Sequence, residues 1–447
     1  MRRNLSFILA VMLLSTPAFA AIEVETTRLG HGVSVWYAAN NRVPVVDVVL
    51  SFEGAGSASD AEGKSGRAAF AASLLNEGAG DLDSASFQRT LEEHAITLQA
   101  STDHDRLQVH VHCLREDAPR AGELLALALS RPRLDPADQA RIKEELGGLL
   151  QRLDESAGYQ AQRLLEKRAF AGHPYASPPY GTPESIAGLD GQDVRDFMKT
   201  YITRGNVTVA AAGDVDSSLL DQMLGPVIEA LPENDAGAVA VTPITLQGGG
   251  ENLQRSMPLP QSVVVFAAPA IARDDKRFYA AYLLNHILGG SALDSRLAQL
   301  RRQNGLVYNI DTDLDIRSGS VFFYGSLATR NHSVEAAIAQ AKTVLGTLRE
   351  KGVTTQECAD AKSYVLGALP RQLDSSSAVT SMLLTMQIQH LGREYLDERT
   401  TLFNRVSCGD INTLAAELLA PEHFLFATVG GTADGPAPMA DVPADAR

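Results

Sequence analysis

The chain is short of cysteine, of positive charge and of long apolar runs, and each scarcity removes a class of protein. Three cysteines in 447 residues, Cys113, Cys358 and Cys408, cannot staple a disulfide-dense scaffold, and an odd number cannot pair fully within one chain. No C-x-x-C or Cys/His spacing suggests a structural zinc. Only Cys358 and Cys408 lie in the same half, and the sequence leaves open whether they are bridged. Lys and Arg number 39 against 54 Asp and Glu, a net charge of −15. Nucleic acid and anionic membrane surfaces repel such a polyanion, so neither is expected as a partner. Past the first twenty residues no segment approaches the roughly 20 apolar residues that span a bilayer. Gly-x-Ser-x-Gly, Walker and dinucleotide-binding motifs are also absent.

What is present describes an exported, two-domain globular protein. A length of 447 residues exceeds one ordinary core, and 45% apolar with 21% charged residues fits globular folding. Arg2 and Arg3, an apolar run over residues 7–14, and Ala18-Phe19-Ala20 read as a secretory signal over residues 1–20, cleaved near Ala20/Ala21. Losing those two arginines takes the charge from −15 to −17. No cysteine follows the apolar run for lipid attachment. The expected location is therefore the periplasm or outside the cell.

Patterning predicts strands over residues 33–37 and 43–52, helices over 65–76 and 84–94, and strands over 97–102 and 106–114. Helices then dominate from 118 to 170, with another over 191–201, a strand over 206–212 and a helix over 217–231. The second half repeats the order. A strand is predicted over 263–268, helices over 275–288 and 292–303, and strands over 306–314 and 320–327. Helices follow over 333–350, 355–373 and onward to 419, and a strand over 424–429. Ala71-Ala72-Ser73-Leu74-Leu75-Asn76 resembles Ala280-Ala281-Tyr282-Leu283-Leu284-Asn285, the mark of an internal duplication. The expected division is a domain over 21–231, a linker over 232–252 around Gly248-Gly249-Gly250, a domain over 253–432, and a disordered tail over 433–447.

Several segments resemble one family, that of pitrilysin and the mitochondrial processing peptidase. Leu288-Gly289-Gly290, Ser295-Arg296-Leu297, Leu300-Arg301 and Gly305-Leu306-Val307-Tyr308 resemble its C-terminal-domain signature. His173-Pro174-Tyr175 with Tyr180-Gly181-Thr182-Pro183-Glu184 resembles a segment of its N-terminal domain. The matches together span about residues 24–432, nearly the whole mature chain. It implies an α+β fold of two homologous domains of LuxS/metallohydrolase-like type, each a mostly antiparallel sheet packed with helices. Peptide-cutting members carry an inverted zinc motif, H-x-x-E-H, on the first helix. Its two His share one helical face and its Glu activates a zinc-bound water. Laid on this chain, the motif puts Ala69 and Ser73 at the His positions and Ala72 at the Glu. The third ligand, about 76 residues further on, lands near Leu149. Alanine and leucine cannot coordinate zinc and a lone serine cannot hold it, so no metal and no cofactor is expected in this chain.

Other candidates are weaker. Thr90-Leu91-Glu92-Glu93-His94 lacks the first His and reads as the solvated end of a helix. His104, His110 and His112 are placed on a strand, where His110 and His112 share a face without a third ligand at a natural spacing. His173 before Pro174 reads as structural. Arg301 and Tyr308 match the family pair that holds the substrate backbone and stabilises the oxyanion, facing the zinc site of a partner half. The resemblance thus implies a pseudo-peptidase that binds peptide substrates and supplies Arg301 and Tyr308 in trans to a zinc-bearing homologous subunit, as a heterodimer or larger assembly. The alternative is a peptide-binding or scaffold protein of the same fold with no proteolytic role.

Overall fold

A computed structural model describes residues 22–233, 241–290, 294–302 and 305–431. The expected signal over 1–20, the tail over 433–447 and part of the expected linker lie outside the described residues. The strands are β1 (Glu25–Arg28), β2 (Ser34–Ala39), β3 (Val45–Glu53), β4 (Thr97–Thr102), β5 (Arg106–Leu114), β6 (Val207–Gly213), β7 (Asn252–Ser256), β8 (Gln261–Pro269), β9 (Asn309–Arg317), β10 (Ser320–Arg330) and β11 (Leu425–Gly430). In the first half the helices are α1 (Arg67–Leu74), α2 (Ser84–Glu93), α3 (Ala118–Ser130), α4 (Pro136–Asp154), α5 (Ala157–Ala169), α6 (Pro183–Ala187), α7 (Gly191–Tyr201) and α8 (Ser217–Ala230). In the second they are α9 (Phe278–Leu288), α10 (Ala298–Arg302), α11 (Val334–Lys351), α12 (Thr355–Gln372), α13 (Ser376–Ile388), α14 (Tyr395–Arg405) and α15 (Cys408–Leu418).

The strands form two sheets of matching topology. One has the order β1-β2-β6-β3-β5-β4 and the other β7-β11-β8-β10-β9. Removing the edge strand β1 makes the two orders equivalent. Each has a single parallel pair at the same place, β2 with β6 and β7 with β11. Register is fixed by apolar residues opposite one another: Val48 on β3 faces Val111 and Ala211. In the second sheet Val263 faces Ala328 and Val429. The expected α+β fold of two sheets packed with helices is the observed one.

One face of each sheet is covered by helices of its own half, giving two large cores. The other face is covered by a helix from the opposite half. Leu383, Leu384 and Met386 of α13 bury against Ala38, Val49, Ala210 and Ala212 of the first sheet. Ala161, Leu165 and Ala169 of α5 bury against Val265, Ala267, Leu425 and Ala427 of the second. This explains why β3 is buried along both faces rather than alternating. The exchange follows the repeat, since α3-α4-α5 corresponds to α11-α12-α13. Ser156 and Ser375 cap the two exchanged helices alike, accepting from Tyr159 N–H and Ala378 N–H.

The edge strands β1 and β7 were not expected, because Glu-Thr-Thr-Arg and Asn-Leu-Gln-Arg-Ser lack an apolar alternation. Strand β9 begins at Asn309 rather than at 306. Gly305, at φ 57°, turns the chain, and Tyr308 is tied to Ala328 before the ladder starts. Residues 241–250 lie along the junction of the halves, with Leu246 buried and Ile244 exchanging hydrogen bonds with Ser320 at 2.9 and 3.0 Å. Cys358 and Cys408 are disulfide-bonded with Cα atoms 5.9 Å apart, tying α12 to α15, and Cys113 is a buried thiol.

Candidate functional site

The site where a metal would sit in a peptidase of this kind is built on α1. Gly66 starts the helix at φ 86°, a left-handed conformation in which a Cβ would meet Ile186 and the Tyr180 carbonyl at 2.7 Å. Asp60 receives Gly66 N–H at 2.7 Å and Ala68 N–H at 3.1 Å, satisfying the exposed end of the helix. Burial pushes the Asp60 carboxyl up to about 6, against the lowering effect of those N–H groups and of Arg67. The scaffold is thus complete: α1 packs on α4, α7 and β4.

The donors on that scaffold do not fit zinc. Ala69, Ala72 and Ser73 share one face, at positions i, i+3 and i+4. Ala69 and Ala72 are buried, and the Ser73 hydroxyl donates to the Ala69 carbonyl at 2.9 Å within its own helix. Leu149, on the facing stretch of α4, packs against the first core between buried Leu146 and Leu150. Two methyl groups, one helix-bonded hydroxyl and an isobutyl group supply no ligand set.

Arg301 and Tyr308 belong to the other half. Arg301 is exposed in the last turn of α10, which packs on β9 and α11. Tyr308 donates its N–H to the Ala328 carbonyl at 2.8 Å and leaves its side chain in solvent, 45% exposed. Between them Leu306 N–H reaches the Leu300 carbonyl at 3.3 Å. Two strong donors are therefore presented outward from one short stretch of chain. The α1 positions and this pair thus sit on different halves, each on its own scaffold.

Among the other candidate histidines, His94, His104, His112 and His173 have structural partners. His94 Nδ1 meets Asp117 at 2.5 Å, while Glu92 and Glu93 are exposed, as expected of the solvated end of α2. His112 Nδ1 lies 3.2 Å from Asp47, and burial lowers the pKa of neighbouring His110. His104 is not on a strand, as expected, but in the turn between β4 and β5, where Asp103 organises the chain by accepting from Asp105 and Arg106 N–H. His173 caps the turn that follows it, accepting from Tyr175 N–H at 3.2 Å.

Sequence patterning missed a buried ionic cluster between the halves. Glu166 of α5 is 1% exposed and pairs with Arg163 at 2.6 Å and with Arg317 of β9 at 2.8 Å. Nearby, the Tyr175 hydroxyl donates to Asp105 at 2.6 Å, and Ser318 N–H to the other Asp105 oxygen at 2.9 Å. The available signal was Glu166 lying on the same helix as Ala161, Leu165 and Ala169, an acid among apolar positions.

Comparison with known proteins agrees with this geometry. Residues 35–183 match a family model described as insulinase (peptidase family M16), and residues 188–365 one described as the peptidase M16 inactive domain. A Helicobacter pylori protein named non-peptidase homolog YmxG is 27% identical over 84% of this chain and 85% of its own length. A crystal structure of a peptidase M16 inactive domain from Pseudomonas fluorescens has a TM-score of 0.85 and 23% identity, covering 92% of this chain and 98% of that one. A protease structure from Helicobacter pylori has a TM-score of 0.81 and 20% identity, over 91% and 99% of the two chains. With both family models matched in tandem over most of its length, the chain belongs to peptidase family M16.

Proposed function

We propose that this chain is the non-catalytic, substrate-binding member of an exported zinc-peptidase pair. The observation that carries the reading is the uneven fate of two sites in one chain. The α1 positions hold Ala69, Ala72 and Ser73 on an otherwise complete scaffold, while Arg301 and Tyr308 stay exposed on the other half. A phenol and a guanidinium are donors suited to a developing oxyanion. They serve no purpose there without a zinc-bound water and a scissile carbonyl within hydrogen-bond reach, and a homologous subunit would have to bring the metal. The name of the Helicobacter pylori relative, a non-peptidase homologue, supports the first half of the reading. The basic start, short apolar run and Ala18-Phe19-Ala20 support export.

The test is steady-state cleavage of a quenched fluorescent peptide. This chain alone should give no turnover. Mixing it with a homologous subunit that carries H-x-x-E-H should give turnover above that of the homologue alone. Equal turnover with and without this chain would leave a binding or scaffold role as the better account.

A further inference from the structure

The internal repeat sets α9 against α12 as it sets α1 against α4. In the second half this crevice is open. A cavity of about 330 Å³ lies there, lined by Tyr282 and His286 of α9, Tyr364, Ala368 and Arg371 of α12, and Arg399 of α14. That volume falls within the range of small-ligand pockets, about 300–1,000 Å³. Its place follows the repeat closely. The likeness of residues 71–76 to 280–285 puts Tyr282 where the first half has Ser73. Ala368 is the fourteenth residue of α12, as Leu149 is of α4. The place that the first half fills with Ser73 and Leu149 is a hollow in the second.

The walls of the hollow are cationic, in a chain of net charge −15. Arg399 is only 6% exposed. Its Nη1 donates to the Val365 carbonyl at 3.1 Å and its guanidinium lies 4.9 Å from the Phe403 ring. Among the described residues no carboxylate pairs with it, nor with Arg371, which is exposed at the rim. A buried guanidinium without a counter-charge is costly, and the lining contains no acid to offset it. His286 stacks on Tyr364 with ring centroids 4.7 Å apart. Val365 and Ala368 give one wall an apolar surface. Two planar donor forks suit a carboxylate held bidentately, and the rings and aliphatic wall suit the organic group that bears it. The lining has no lysine, as a phosphate site often does.

We propose that this cavity is a binding site for an organic carboxylate. Arg399 and Arg371 grip the carboxylate, while Tyr282, His286 and Tyr364 pack on the group that carries it. The proposal stands on the cavity alone and holds whether or not the chain works with a peptidase partner.

Isothermal titration calorimetry on the full chain at low salt tests it. The probes are an acetylated pentapeptide with a free C-terminus, the same peptide C-terminally amidated, glutarate and inorganic phosphate. Binding of the free-acid peptide with at least tenfold weaker binding of its amide identifies a peptide C-terminus as the ligand. Binding of glutarate but of neither peptide identifies a free small carboxylate, and supports the same site chemistry. Arg371→Gln, at an exposed position, should leave the melting temperature unchanged and weaken carboxylate binding about tenfold or more, the loss expected for a charged hydrogen-bond donor. Arg399→Lys keeps the charge but loses the fork, and should also weaken it. Equal binding of acid and amide, phosphate bound as tightly as carboxylate, no carboxylate bound at millimolar concentration, or wild-type affinity in Arg371→Gln would each overturn the proposal.

Discussion

Tyr308 serves the sheet with its backbone and leaves its ring to solvent. Removing its hydroxyl should therefore leave the fold alone. In a reconstituted pair, Tyr308→Phe should cut turnover about 100-fold or more, the typical cost of losing a donor aimed at an oxyanion. The melting temperature and the partner's zinc content should not move. If Tyr308→Phe and Arg301→Ala both leave turnover and affinity intact, the pair is ordinary surface. Glu166 is the opposite kind of residue, a carboxylate with 1% exposure. Burial works to raise its pKa, but the nearby His104 ring and the charges of Arg317 and Arg163 outweigh it and hold the group down at about 2. A folded pKa below the unfolded value means the stabilisation is complete above the ordinary glutamate range and is lost as pH falls from about 4.5 toward 2. Asp60, pushed up to about 6, acts with the other sign, favouring the fold as pH drops through that value. Glu166→Gln should lower stability near pH 7 by about 3 kcal/mol and flatten the loss between pH 4.5 and 2. Urea melts at pH 3, 4 and 7 would show it, and an unchanged acid limb would assign that limb to other carboxylates. An Arg-x-x-Glu spacing is visible in the sequence at 163 and 166. It reads as a solvated helical pair because nothing local says that the opposite half will cover it.

At the scale of elements, contact geometry rather than propensity sets the tightest constraint. Helices α3 and α8 cross with Gly122 against the backbone of Met223. A Cβ on Gly122 would stand 1.9 Å from the Met223 carbonyl oxygen and 2.7 Å from its carbon. No rotamer relieves a clash with backbone, so the helices must separate. Gly122→Ala should cost roughly 3 kcal/mol, although alanine is the better helix former. Denaturant unfolding would measure it, and a neutral or stabilising result would mean the crossing is looser than this. Sequence patterning recovers elements whose identity is carried locally. The strands at Thr97–Thr102 and Arg106–Leu114 and the helix at Gly191–Tyr201 begin and end where their turns and caps say they should. It fails for β1 and β7, polar edge segments that become strands only because a neighbour offers a ladder. For α5 and α13 it finds the helices but not what they bury.

At the scale of the whole molecule, the loss of the metal set is legible because a helical ligand motif is a local spacing, readable as Ala69, Ala72 and Ser73. The Glu166 cluster is not, since Glu166 and Arg317 come from opposite halves and meet only when these dock, nor is the α9–α12 cavity, whose walls come from three separate helices of the second half. That docking has a thermodynamic consequence. Leu383 and Met386 of α13 are wholly buried on the first sheet, and Leu165 of α5 is 1% exposed on the second. Fully burying such a side chain contributes about 1.5–3 kcal/mol, and each sheet would expose an apolar face if the halves parted. Unfolding one half therefore strips the cover from the other, and the chain should melt in a single cooperative transition despite its two cores. Trp36 offers a site-specific probe: it is the only tryptophan, it lies on β2 of the first sheet, and it packs against the α13 cluster. Its fluorescence should follow the same melting curve as far-ultraviolet circular dichroism, which reports both halves. Leu384→Ala, a change in the second half's helix, should destabilise the protein by about 2–5 kcal/mol and move both curves together by the same amount. If Trp36 instead reports an early transition while the bulk of the helical signal melts unchanged, the exchanged helices are loosely held and the two halves are separate folding units.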